Sequence, residues 1–197
     1  MKNLRIALAL ALEVLAAGCG GGAEKLAQQI AQGKALLAEG KYDAAAGELL
    51  KATALDKNSM EAWLQLGHAY AAQKKYDVAL AAYVAAKRID RHSIAPHVAH
   101  AKVQVELGHI EQATTELNFV VEMDPKNLEA LLLLAKVSQM PTRLPDGATG
   151  VSQASLERAE LNLEAAATLA PQNAQVEFEL ARVRGTLGKL KNPGEKK

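Results

Sequence analysis

Apolar positions along this chain recur with the spacing of amphipathic helices, and the recurrence itself repeats every 34 residues. Lys41-Tyr42-Asp43-Ala44-Ala45 returns as Lys75-Tyr76-Asp77-Val78-Ala79. Gly33, Gly67 and Ala101 share one register, as do Ala45, Ala79 and Ala113, and Leu49, Tyr83 and Leu117. Three units therefore follow without a gap, over 26–59, 60–93 and 94–127. The pattern predicts helices over 24–38, 42–55, 60–72, 76–89, 94–106 and 110–123. Gly40 and Gly108 mark helix ends, because glycine tolerates the left-handed conformation found there. A fourth unit, 128–173, starts in register and then slips by 12 residues. Its second helix resumes with Leu156, Ala159, Leu163 and Ala166 and closes at Pro171. The inserted loop, Met140 to Gly150, is rich in turn residues. A last helix is expected over 174–187, stopped by Gly188, as a cap with a polar outer face. Residues 189–197 are expected to be disordered.

Small residues at the shared positions let the helices of a pair approach closely. Gly67 and Ala79 fall where they meet, and Trp63, Leu66, Tyr70 and Tyr83 fill the space between. Trp63-x2-Leu66-Gly67-x2-Tyr70, followed by Ala79-x3-Tyr83 and, one unit on, Pro125, resembles the tetratricopeptide signature. The resemblance spans 26–188. It implies an all-α right-handed superhelix of four helix–turn–helix repeats plus the capping helix.

In that family the first helix of each repeat lines a concave groove, with its fifth and ninth residues facing inward. The resemblance places Ile30, Leu64, Val98, Leu132 and Phe178 at the fifth positions. Lys34, His68, Lys102, Lys136 and Arg182 stand at the ninth. Residues four apart on a helix are neighbours, so an apolar column runs beside a basic one. Glu61, Glu106, Glu129 and Glu179 lie near the same surface and dilute its charge. A partner matching both columns is an extended or helical protein segment with spaced apolar residues and an acidic edge. The carboxylate clamp of chaperone-binding relatives is not matched, since Ile30, Gln65, Ala95 and Ala99 stand where it needs polar or basic residues.

Composition fits a folded, soluble helical protein: 49% hydrophobic, 23% charged and only 4% aromatic. A net charge of +1 provides no field to draw the chain to nucleic acid. The first residues read differently. Lys2 and Arg5 precede an apolar run from Ile6 to Leu12, and Leu15-Ala16-Ala17-Gly18 leads into Cys19, the one cysteine. This is the layout of a secretory signal over 1–18. The small residues before Cys19 resemble the lipobox of bacterial lipoproteins, which implies a lipidated Cys19 and a glycine-rich tether over 19–25.

No phosphate loop, Ser-His-Asp arrangement or Cys/His zinc pattern is present in the sequence. His97 and His100 share a helix face and could hold a transition metal, yet the register puts them at packing positions, so no metal site is assigned. The expected function is therefore a non-catalytic, membrane-anchored scaffold, without cofactor or small-molecule substrate, that binds a protein segment in its groove. The combination of lipoprotein signal and repeats resembles pilotins and outer-membrane assembly factors. That implies a place in the bacterial cell envelope, on the periplasmic face of the outer membrane if the cell has two membranes, with a role in assembling an envelope, secretion or pilus complex. The alternative is a structural envelope protein that self-associates through its repeat edges.

Overall fold

The computed structural model describes residues 21–144 and 147–191. Its described residues form a repeated helix–turn–helix arrangement in two compact units, one ending at Pro96 and the other starting at His97.

The first unit contains helix α1 over 21–38, α2 (Tyr42–Leu55), α3 (Met60–Ala72), α4 (Tyr76–Ile89) and the first residues of α5 (Ile94–Glu106). Residues 21–25, expected as part of a tether, are helical instead. Glycine costs a helix only about 1 kcal/mol relative to alanine, and the helix-forming Ala23, Glu24 and Lys25 directly follow Gly21 and Gly22. The core joins Ala45, Ala46 and Leu49 of α2 to Leu66 and Ala69 of α3. Gly33 and Gly67 are buried where their helices meet the partner. A Cβ on Gly33 would come within 2.5 Å of Leu49, and one on Gly67 would overlap the Tyr83 ring.

One turn is used three times. Gly40 and Gly108 have φ of 74°, and Lys74, at the same place in its repeat, has φ of 59°. The next amide bonds back five residues: Lys41 N–H to Leu36 O at 2.9 Å, Lys75 to Tyr70 at 2.9 Å and His109 to Gln104 at 2.9 Å. This 6→1 closure is the Schellman motif. The opposite turn is also repeated. The carboxylates of Asp56, Asp90 and Asp124 accept from the amides of Asn58, His92 and Lys126 at 2.8, 3.0 and 3.1 Å. Ser59 and Asn127 then cap α3 and α7, accepting from Ala62 and Ala130.

The second unit holds the rest of α5, then α6 (Ile110–Met123), α7 (Leu128–Ser138), α8 (Gln153–Leu169) and α9 (Ala174–Lys191). Leu131 and Ala135 of α7, Leu156, Ala159, Leu163 and Ala166 of α8, and Val176, Val183 and Leu187 of α9 make its core. The insertion is not a plain loop. Strands β1 (Thr142–Arg143) and β2 (Thr149–Gly150) pair antiparallel as a short ribbon in place of the tight turn between the two helices of the fourth repeat. Helix α9 also passes through Gly188, the expected stop, to Lys191. Gly188 does not adopt positive φ. Buried Leu187 and the contact of Lys191 Nζ with Glu157 at 3.4 Å hold the last turn on α8.

Candidate protein-binding site

The ten residues expected to line a groove have different surroundings. In the first unit Ile30 is half-buried, but Leu64 is only 5% exposed and belongs to the packed interior. Val98, in the second unit, is likewise 5% exposed. Neither offers its side chain as open surface. An interior first helix such as α3 packs against both α2 and α4, so its fifth residue is covered. Phe178 is the opposite case, 65% exposed on α9. Leu132 lies between these extremes, half-buried against the core of its unit.

The basic column is not a free positive surface. Lys34 Nζ lies 3.1 Å from Glu61, whose carboxylate also accepts from Gln65. Lys102 pairs with Glu129 in the same register, ninth residue of one repeat to second residue of the next. Lys136 Nζ is 3.6 Å from Glu106, and Arg182 bonds Glu179 and Gln139. His68 Nδ1 meets the Tyr83 hydroxyl at 3.1 Å, edge-on to its ring. Tyr83 is almost fully buried, and that burial pushes its phenol above the ordinary pKa of 10.0. The expected column of positive charge is thus a series of local pairs, because each repeat also places acids within reach of its bases.

Open apolar space is found in the second unit. A cleft of about 930 Å³ lies between α7 and α9. Leu128, Leu132 and Leu133 of α7, Leu163 of α8 and Val176 of α9 give it apolar walls. Lys136 and Arg182 stand at it with their acids already engaged. Asn173 is also committed, since its side chain caps α9 through the amides of Gln175 and Val176 at 3.1 and 3.4 Å. Of the expected residues, Leu132, Lys136 and Arg182 meet here. Met140 and Pro141, the first residues of the insertion, line the same cleft. The break in register was the sequence signal for them.

His97 and His100 share Glu116 as a neighbour. The Nδ1 of His97 lies 2.6 Å and that of His100 3.2 Å from the Glu116 carboxylate, and the His97 ring packs on Phe119 at 4.3 Å between centroids. Among the described residues no group of His, Cys, Asp and Glu is arranged to hold a metal ion. None of the helices among them is long and apolar enough to cross a membrane. Cys19, the expected lipidation site, lies outside the described residues.

Residues 33–74 match a TPR repeat family model and 61–93 a tetratricopeptide repeat model. Residues 33–93 therefore carry tetratricopeptide repeats, and the same helical hairpin continues beyond them. No curated protein matches the sequence. Similar solved structures include Pseudomonas aeruginosa PilF at 19% identity and TM-score 0.71, covering 84% of this chain and 70% of that one. A double mutant of MamA from RS-1 also has 19% identity, with TM-score 0.70 and coverage of 87% and 89%. YrrB, described as a TPR protein with an unusual peptide-binding site, has 18% identity, TM-score 0.61 and coverage of 80% and 75%. At these identities the likeness is one of fold.

Proposed function

We propose that this protein is a scaffold that takes an apolar segment of a partner protein into the cleft between α7 and α9. The observation that carries this reading is the cleft itself, whose walls include leucine, valine and methionine while its charged residues Glu129, Lys136, Glu179 and Arg182 are already paired. Affinity then comes from apolar burial, at about 25 cal/mol per Å². Exposed charge pairs contribute only about 0–1 kcal/mol each, and an acidic edge on the partner is not required. The peptide-binding site named for YrrB supports the same kind of use. We further propose that the chain is anchored at a bacterial cell envelope by lipid on Cys19, a reading supported by the lipobox-like Ala17-Gly18-Cys19. Such a tether would put the cleft to work in assembling an envelope complex.

A photo-crosslinker at position 132 tests the cleft. It should capture a discrete partner from native membranes, whereas one at exposed position 161 should not. Equal capture from both positions would remove the cleft from the account. Cys19→Ser should release the protein from membranes. An intact Met1 and an unmodified thiol in native protein found free of membranes would refute the anchor.

A further inference from the structure

The outward faces of the second helices of the repeats differ between the two units. On α4 the exposed positions include Val78, Ala81 and Val84. Their equivalents on α6 are Gln112, Thr115 and Asn118, and on α8 Arg158, Leu161 and Glu164. Val78 is 47% exposed, Val84 43% and Ile89, at the end of the helix, 36%. Val78 and Val84 leave aliphatic side chains exposed where the other unit places Gln112, Asn118, Arg158 and Glu164, whereas Ile89 matches the equally exposed Met123 and Leu169.

The charges on this face have an order. Asp77 lies in the first turn of α4 and Arg88 in the last. Neither has an ion-pair partner among the described residues. They are eleven residues apart, about three helical turns, so they stand on one line along the helix, between Ala81 and Val84. A two-fold axis perpendicular to a helix brings a second copy alongside in antiparallel sense and keeps each edge on its own side. Asp77 then falls opposite Arg88 of the other copy, twice over. Val78 falls near Ile89, and Ala81 near the centre leaves room for close approach. The face is complementary to itself. The matching face of α2 is not, because Asp43 is drawn to Lys75 at 3.7 Å and Ala54 replaces the arginine.

We propose that α4 is a homodimer surface, packing antiparallel against α4 of a second copy of this chain. This is not an association through repeat edges, and it leaves the cleft between α7 and α9 out of the contact. One helix face is smaller than the roughly 800 Å² per partner of a standard interface, so a weak, concentration-dependent dimer is expected.

Sedimentation velocity of the full chain from about 1 µM to 1 mM tests this. A monomer–dimer equilibrium is expected. Asp77→Arg or Arg88→Asp alone should weaken it about tenfold, since each places like charges opposite one another at both ends of the seam. The double variant Asp77→Arg/Arg88→Asp should recover dimerisation to within about threefold of wild type. That recovery is a result no merely local effect on α4 would produce, and melting curves will show that every variant is folded. A monomer throughout the range, an assembly larger than a dimer, or single variants that dimerise as wild type would each overturn the proposal. So would a double variant no better than the singles.

Discussion

The ammonium of Lys34 sits 3.1 Å from the Glu61 carboxylate, across from one repeat to the next. Lys102 and Glu129 repeat that relationship at the same positions of the third and fourth repeats. These bases pair across neighbouring hairpins. Lys34→Glu combined with Lys102→Glu should therefore lower stability by up to about 1 kcal/mol per pair, plus the new repulsion. Salt should reverse much of the loss. Thermal melts at low and high ionic strength check this, and a melting temperature unchanged at low salt would mean that the pairs contribute nothing.

Two helical glycines should respond in opposite ways. Gly67→Leu must displace the Tyr83 ring and should cost about 1–3 kcal/mol or more. Gly185, in α9, has nothing within 4 Å of where its Cβ would be. Gly185→Ala should stabilise by up to about 1 kcal/mol through helix propensity alone. Chemical denaturation of the two variants separates close packing from conformational cost.

Lys74 occupies the left-handed turn position that Gly40 and Gly108 fill in the neighbouring repeats. A side chain there is strained by roughly 1 kcal/mol. Lys74→Gly should recover part of that, a gain readable as a higher melting temperature, and a loss of stability would mean the lysine makes a contact that outweighs its strain.

Much of the fold could be read from the sequence because the close contacts recur at fixed places. Gly33 beneath Leu49 and Gly67 beneath Tyr83 need a small residue at one offset and a large one at another, and helix bounds follow from that register. The 34-residue period also carries Asp56, Asp90 and Asp124 into the same turn, a signal as plain as the glycines. The candidate site was less accessible. Register tells which way a side chain points but not how deeply the next helix covers it. Leu64 and Phe178 hold equivalent positions, yet the first is enclosed by packed neighbours on both sides and the second is bare on α9, which among the described residues packs chiefly on α8. The acids near the bases could be read as neighbours, but their pairing depends on rotamers and on distances between helices. The ribbon could be read only as a turn-rich insertion, and nothing in its composition places Met140 and Pro141 against the cleft.

Tyr83 makes stability sensitive to alkali. Its folded pKa is raised by burial above the ordinary 10.0. Above that pH the unfolded phenol loses its proton while the folded one keeps it, so stability is complete below pH 10.0 and declines as pH rises beyond it. Tyr83→Phe removes the ionisable group and should flatten this part of the decline, although it also loses the hydroxyl contact to His68 and lowers stability at neutral pH. Urea midpoints followed from neutral pH into alkali compare the two slopes, and identical slopes would discount the buried phenol.

Titration of the captured partner against cleft variants is the most direct test of the central claim. Leu132→Asp puts a charge into the apolar wall, and Met140→Glu does so from the start of the insertion. Each should weaken binding at least about tenfold, with circular dichroism and melting curves near those of wild type. Lys136→Glu, which disturbs a charge already engaged by Glu106, should bind within about threefold of wild type at physiological salt. Wild-type affinity in both Leu132→Asp and Met140→Glu would contradict the account and move the binding surface elsewhere on the molecule.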